Sequence, residues 1–363
     1  MKICIVISTI SSGGAERNAC LLANHFSKDN DVVLFTYQKS NKNFYNFSSN
    51  IKIKNLNLLT TSNNFIFKFV NFIKRLYVIY SNLKKQKPDV LLSFLETTNI
   101  TVIIASLFVK NIKLKIISDR NNPNHSENKV FLYLLKFFFY RFTNYLVLQS
   151  NKIKENYKFL KKSKIKIISN TLSSNIKKKG KYIISKKLKI ISVGRLETQK
   201  GYDILLKSLN LLKKKNINFS CDIYGVGSKK KSLLKNIEYY DLKKQVFLKG
   251  VTKKILKIYK NYDLYILSSI FEGYPNSLLE ALSSGVACIS SNCNYGPSEI
   301  IKNKFNGLLF KNKDSEDLSR KIFFLIKKKN KFKYFSKNSK KKFEFKKYNK
   351  DKILKWENLI KIK

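Results

Sequence analysis

"DLYILSSIFEGYPNSLLEALSSGVACISS" runs from Asp263 to Ser291. It opens on the apolar run Leu264–Leu267, closes on a second at Val286–Ile289, and between them carries a turn and then helical spacing. Gly273 lets the chain turn. Pro275 has no N–H and a fixed φ, so it suits the first turn of a helix. Asn276 and Ser277 are good capping types. Leu278, Leu279 and Leu282 form the expected buried face. Glu280 lies off that face, one turn beyond Asn276, and Glu272 precedes the turn. Strand, helix, strand is a βαβ unit with parallel strands. The free N–H groups at the start of such a helix, with its dipole, suit an anion or a polar hydroxyl. Each of the two flanking carboxylates can accept two hydrogen bonds from a vicinal diol.

The same alternation extends along the chain in both directions. "KICIVIS", "DVVLFTY", "KPDVLLSFL", "LKIISD", "NYLVLQS" and "KIKIIS" read as strands in the first half. "GGAERNACLLANHFS" and "ITVIIASLFV" read as helices between them. "LKIISVGRL", "FSCDIYG", "QVFLKG", "DLYILSS" and "VACISS" are strands of the second half. Continuous β-branched runs separated by helices predict parallel sheets buried on both faces. Residues 173–187, "SSNIKKKGKYIISKK", are polar and without period, and are the expected linker. The predicted fold class is therefore α/β, with two Rossmann-like domains over 1–172 and 188–340 whose parallel sheets face an inter-domain cleft. A C-terminal helix over 341–363 could cross back to the first domain. Ligands bind at the carboxyl ends of strands in such sheets.

A chain of 363 residues is too long for one ordinary core, which agrees with two domains. Its net charge is +50, from 73 Lys and Arg against 23 Asp and Glu. That balance invites a nucleic-acid reading. Only six of the cations are Arg, however, and Arg is the better tool for bidentate recognition of bases and phosphates. A nucleic-acid partner is not expected, although anionic surfaces in general would attract this chain. Cys4, Cys20, Cys221, Cys288 and Cys293 are scattered in apolar runs and read as buried reduced thiols. "MKICIVISTISSGG" has too short an apolar run for a signal peptide and reads as a strand. No segment is long and uncharged enough for a transmembrane helix. "DND", Asp29 to Asp31, reads as a turn rather than a metal motif.

In "SVGRLETQKG", Ser192 to Gly201, a strand ends at Val193 and Gly194 permits a tight turn. Arg195 and Lys200 then emerge at the carboxyl end of the strand, where two cations suit a diphosphate. This stretch and "FEGYPNSLLEAL" resemble the retaining glycosyltransferases of family four, which have the GT-B fold. "GGAER", "KPDVLLSF", "IYGVG", "NYDLYILSS" and "CNYGPSEII" extend the resemblance over nearly the whole chain in the right order. "GGAER", "SDRNNP" and "GPSEI" resemble the bacterial branch that builds surface polysaccharides or lipid-linked oligosaccharides.

The resemblance implies roles position by position. Arg195 and Lys200 would hold the diphosphate of a nucleotide-sugar, most simply a UDP-sugar. Glu280 would bind the ribose hydroxyls and Glu272 those of the donor sugar. Gly273, Tyr274 and Asn276 would line the site through their backbones. Gly13 and Gly14 would let the first domain's backbone approach the donor. No metal and no cofactor are expected, because the two cations and the helix end take that role. Many relatives carry a His after a strand of the first domain. Here "ISDRNNPNHS" offers Arg120 and His125, and the sequence does not choose between them. His25 reads as structural. The implied acceptor is a bacterial surface glycan or lipid-linked oligosaccharide. "NFIFKFVNFIKRLYVIYSNLKK" (Asn64 to Lys85) and "VFLYLLKFFFYRFTNYLVL" (Val130 to Leu148) are basic, aromatic and amphipathic, which suits a membrane interface. An anionic membrane surface is accordingly the expected partner, with the protein cytoplasmic and peripheral on the inner face of the plasma membrane. The rival readings are a basic nucleic-acid-binding protein and a GT-B sugar-nucleotide epimerase.

Overall fold

The computed structural model describes residues 1–361 apart from 12, 39–44, 59–64, 121–128, 173–175, 181, 183 and 185. The chain divides into two compact units, Met1–Asn170 with Lys352–Lys363, and Thr171–Asp351.

The first unit alternates β1 (Lys2–Ile7), α1 (Gly14–Phe26), β2 (Asp31–Thr36), β3 (Lys52–Asn55), α2 (Phe65–Gln86), β4 (Val90–Phe94), α3 (Glu96–Leu107), β5 (Leu114–Ser118), α4 (Lys129–Phe139), β6 (Tyr145–Leu148) and β7 (Ile165–Ile167). Its strands pair in the order β3-β2-β1-β4-β5-β6-β7, all parallel among the described pairs. β1 sits inside the sheet, and Ile3 to Ile7 are wholly buried, which is why the run is continuously apolar. One face carries Ile3, Ile5, Ala19, Leu22 and Leu92 together with Trp356 and Leu359 from the C-terminal segment. The other carries Cys4, Val6, Val33, Phe35, Ile79, Leu83 and Val102. Strict alternation along β1 and β2 divides the side chains between the two faces. Asp31 of "DND" opens β2 and faces Lys2 and Lys52.

The second unit runs β8 (Leu188–Val193), α5 (Tyr202–Lys214), β9 (Phe219–Tyr224), α6 (Lys230–Tyr239), β10 (Val246–Gly250), α7 (Ile255–Ile258), β11 (Leu264–Leu267), α8 (Asn276–Ser284), β12 (Ala287–Ser291), α9 (Pro297–Ile300), β13 (Leu308–Phe310), α10 (Ser315–Lys327) and α11 (Asn330–Lys342). α12 (Phe345–Ile360) follows, and its residues from Lys352 onward belong to the first unit. The strand order is β10-β9-β8-β11-β12-β13, again parallel. Both units are Rossmann-like α/β sheets, as the alternation predicts.

Two features differ from the sequence expectation. α8 is not one-sided: Leu278 to Ser284 are all buried, Glu280 included. The lysine-laden α11 contacts both α8 and β12, while its Phe332 and Phe335 pack in the core on the other face of the sheet, so a short amphipathic pattern is enclosed all round. Pro275 is the N-cap rather than a residue of the first turn, with φ −70° and ψ 111°. Within the expected linker, Lys179 and Tyr182 are fastened to the second unit. The Lys179 ammonium donates to the Tyr262 carbonyl at 2.6 Å and pairs with buried Asp263 at 3.4 Å. Tyr182 hydrogen-bonds the Asp263 carbonyl and accepts from the Ala287 amide.

All five cysteines are free and buried. Burial pushes the Cys20 thiol up to about 11 and the Cys293 thiol up to about 12, so both stay protonated and unreactive. No helix among the described residues is long and apolar enough to cross a membrane.

Trp356 is 1% exposed beneath Phe94. Trp356→Ala is expected to cost about 3–5 kcal/mol, read from the first unfolding transition in urea. Phe108→Ala, at a position 72% exposed, is expected to move it by less than about 0.5 kcal/mol. Equal shifts would show that the C-terminal segment is not part of the first unit's core.

Candidate active site

The strand order of the second sheet reverses direction between β8 and β11: β9 and β10 lie on one side, β12 and β13 on the other. Crossover loops leave a sheet in opposite senses at such a point and open a crevice at the carboxyl ends of the two strands. The loop after β8 contains Gly194, Arg195 and Lys200. The loop after β11 contains Ser268 to Pro275 and delivers the chain to the N-terminus of α8.

Lys200 and Glu272 join the two loops. Their ammonium and carboxylate are 2.5 Å apart and both side chains are largely buried, 14% and 7% exposed. The Ser269 hydroxyl donates to the same carboxylate oxygen at 2.6 Å. The Ser268 hydroxyl returns across the crevice to the Lys200 carbonyl at 2.8 Å. The Ser291 hydroxyl at the end of β12 donates to the Ser269 carbonyl. Arg195 is exposed, and its guanidinium donates to the Gln199 side chain at 3.2 Å. Gln199 donates in turn to the Phe271 carbonyl at 3.1 Å and accepts the Ile270 amide on its own carbonyl. Both cations are therefore tied to the β11 loop, Lys200 directly and Arg195 through Gln199.

Two glycines let the backbones approach closely enough for this. Gly201 has φ +58°, and a Cβ there would lie 2.3 Å from the Ser268 carbonyl oxygen. Gly296, with φ +84°, faces Gly273, Tyr274 and Pro275, and a Cβ would come within 2.5 Å of the Gly273 carbonyl oxygen. That contact explains the glycine of "CNYGPSEII": it props the turn that leads into α8.

Glu280 lies one helical turn inside α8, where its carboxylate accepts the Tyr259 hydroxyl at 3.1 Å. The Ser277 hydroxyl accepts that of Tyr265 at 2.8 Å. The first amides of α8 have no acceptor within the helix, and they belong to the loop that carries Glu272. Tyr274 stands over α12's start, its hydroxyl 3.5 Å from that of Tyr348.

The candidates of the first unit form a separate group. Gly13 is the N-cap of α1 with an ordinary φ of −85°, and its carbonyl accepts the Tyr45 hydroxyl. A Cβ there would overlap the Glu16 carboxylate at 1.9 Å, so the glycine makes room for a local side chain. Gly14 is the first residue of α1. Arg120 is buried after β5. Its guanidinium donates to the Asn170 side-chain oxygen at 2.7 Å and lies over the Phe94 and Trp356 rings at 5.6 and 5.8 Å. Asn170 also accepts from Asn18 and Gln149. Burial pushes the Arg120 guanidinium down to about 9, with Asp119 opposing. His125 lies outside the described residues. His25 meets Glu357 at 2.7 Å on the outer side of α1. Ser269, Gln199 and Tyr259 were not singled out in the sequence. The only signal for the first was its place beside Ser268 at the end of an apolar strand.

Residues 174–342 match the family described as Glycosyl transferases group 1. A Campylobacter jejuni relative, named as a GalNAc-α-(1->4)-GalNAc-α-(1->3)-diNAcBac-PP-undecaprenol α-1,4-N-acetyl-D-galactosaminyltransferase, is 28% identical over 90% of this chain and 89% of its own length. The second unit matches the group 1 glycosyltransferases, and the chain is a glycosyltransferase. The fold of this transferase is shared with TarM of S. aureus, solved with fondaparinux, α-GlcNAc-glycerol and UDP, at a TM-score of 0.80 and 16% identity, covering 99% of each chain. It is shared likewise with Anabaena HepE, solved with UDP and glucose, at a TM-score of 0.77 and 14% identity, covering 98% of this chain and 99% of that one. The architecture is thus the GT-B fold.

Gly201→Ala places a Cβ against a fixed carbonyl at a left-handed φ, and Gly180→Ala meets nothing within 4 Å. The first is expected to lower the melting temperature by at least about 3 °C, from roughly 1–2 kcal/mol of backbone strain, and the second to leave it unchanged. Equal melting temperatures would mean that the β8 and β11 loops are not locked together.

Proposed function

We propose that this glycosyltransferase moves a hexose or N-acetylhexosamine from a UDP-sugar to a bacterial surface glycan or lipid-linked oligosaccharide, with retention of anomeric configuration. The observation that carries the reading is the meeting of Lys200, Glu272 and the loop into α8 at the strand-order reversal of the second sheet. The Campylobacter relative's acceptor is linked through a diphosphate to undecaprenol, and TarM and HepE were solved with UDP.

In this reading Lys200, Arg195 and the amides of α8 hold the donor diphosphate. Glu272 binds hydroxyls of the donor sugar, Glu280 those of the ribose, and Gly273, Tyr274 and Asn276 line the site through their backbones. The Lys200–Glu272 pair has a clear use. A charge buried without a partner is costly, so each group keeps the other neutralised until the donor arrives. The phosphate then engages Lys200 while sugar hydroxyls engage Glu272, and neither is left unpaired. Departure of the nucleoside diphosphate breaks the C1–phosphate oxygen bond and adds negative charge to the β-phosphate. Cations and helix amides fixed there stabilise that charge more in the transition state than in the ground state. The acceptor hydroxyl forms the new C1–O bond on the face the phosphate leaves, and its proton passes to a departing phosphate oxygen. These groups supply the positive charge that a divalent metal would otherwise provide, so no metal is required. A lipid-linked acceptor brings an anionic membrane surface as partner and a peripheral position on its inner face.

Calorimetric titration with UDP, GDP and ADP tests the donor site. UDP is expected to bind selectively, and Arg195→Ala to weaken it at least about tenfold, roughly 1.4 kcal/mol. Equal weak binding of all three nucleotides, unchanged in the variant, would mean that charge alone is at work. Turnover of the donor is expected to survive EDTA, and NMR of the product to show an α-linkage from an α-linked donor. A β-linkage would overturn retention.

A further inference from the structure

α4 is arranged with its apolar side outward. Lys136, in the middle of it, is 5% exposed. Its ammonium pairs with buried Glu96 at 3.1 Å and lies over the Tyr157 ring at 5.3 Å. One turn on, the buried Tyr140 hydroxyl donates to Asp119, which also accepts from Asn99 and Tyr157. The charge of this helix is thus anchored inside the protein. The side turned to solvent carries Phe131, Leu134 and Phe138, which are 64%, 47% and 54% exposed. A helix in water ordinarily shows the reverse arrangement.

α2 repeats the pattern in part. Phe67, Val70 and Tyr77 are exposed on its outer side, and Lys84 and Lys85 follow toward its C-terminus. α2, α3 and α4 are successive crossovers between β3, β4, β5 and β6, which add in one direction across the sheet. Right-handed crossovers place all three on one face. α3 packs between the other two. Each helix follows a parallel strand, so the N-terminal halves of α2 and α4, where the exposed apolar residues concentrate, lie toward the carboxyl edge of the sheet.

We propose that α4 and the N-terminal half of α2 insert their exposed aromatic and aliphatic side chains into the interfacial zone of an anionic lipid bilayer. Charge selects this occupant over a second copy of the chain. Two molecules of net charge +50 repel each other, whereas an anionic lipid surface attracts each of them. Aromatic side chains bordered by basic ones are the composition that the headgroup boundary favours, and Arg141 at the end of α4 stacks on Phe137 at 5.0 Å. Insertion adds to electrostatic attraction a component that salt does not screen. The inference deepens the reading of a lipid-linked acceptor and rests on it for its purpose. The bilayer contact itself can be measured without donor or acceptor.

The test uses the full-length Phe131→Trp variant and vesicles of phosphatidylcholine with a minority of phosphatidylglycerol. The native Trp356 is buried in the core of the first unit and serves as an unresponsive background. The new Trp emission is expected to shift to the blue on vesicle binding. Brominated acyl chains should quench it, and part of that quenching should persist at about 1 M salt, where the Debye length is about 3 Å. Absence of the shift and of quenching would overturn the inference. So would a shift that grows with protein concentration in the absence of vesicles, which would make a second copy the occupant. The double variant Phe131→Asp with Leu134→Asp is expected to bind vesicles at least about tenfold more weakly with its UDP titration unchanged. Vesicle binding equal to the parent's would overturn the inference. A UDP titration that fails in the parent while insertion is intact would sink the donor reading alone.

Discussion

The second unit depends on one ion pair across the reversal of its strand order. Lys200 and Glu272 are 72 positions apart in the chain and meet because β8 and β11 are neighbours in the sheet while their crossovers leave in opposite senses. Taking two charges out of water costs several kcal/mol per ion, so a buried pair is weak support for stability. This one is supported by the Ser269 hydroxyl, the Ser268 return bond to the Lys200 backbone and the Gly201 approach that brings the loops together. A pair that costs this much to desolvate and sits at a crevice is better explained by what it can exchange for than by what it stabilises. An anionic ligand for the cation and hydroxyls for the acid are the matching exchange.

The first sheet reverses in the same way, between β1 and β4. Its loops contribute a different chemistry there. Gly13 and Gly14 follow β1, and Glu96 follows β4 but turns inward to Lys136. Burial pushes the Glu96 carboxyl up to about 7, and Asp119 adds to the shift. Near this edge Arg120 is fixed by a hydrogen bond to Asn170 and enclosed by Phe94 and Trp356. The two units share a scaffold and use its reversal points for different ends. One sets an ion pair at its crevice; the other buries its charges beneath an apolar helix.

Much of this was legible in the sequence, for a physical reason. A strand buried on both faces must be continuously apolar, so β1, β4, β8 and β11 announce themselves. Edge strands escape the rule. β3 reads Lys-Ile-Lys-Asn and is largely exposed, and β13 has three residues. Arg195, Lys200, Glu272 and Glu280 were legible as residue types beside turn and capping chemistry. Their partners were not. Nothing local to Glu280 names Tyr259, and nothing in "CNYGPSEII" shows that its glycine rests on the Gly273–Pro275 turn. The enclosure of α8 was hidden because its neighbour α11 has eight Lys and Asn in thirteen residues, and only Phe332, Phe335, Ser336 and Ser339 are buried in it.

The lysine excess divides along the same line. Most lysines are exposed and need no individual explanation, and a surface of many solvated ammonium groups attracts anions without selecting among them. Selection requires cations whose position is fixed. Among the described residues, Lys136, Lys179 and Lys200 are buried or nearly buried lysines with a carboxylate partner within 3.4 Å. Lys179 fastens the chain beside β11, and Lys136 fastens α4 from beneath. Lys200 alone of the three lies in a loop at a strand-order reversal, with its partner carboxylate at the same crevice. In the function proposed above, the bulk charge draws the protein to an anionic surface, and the placement of this one ammonium selects the anion held there.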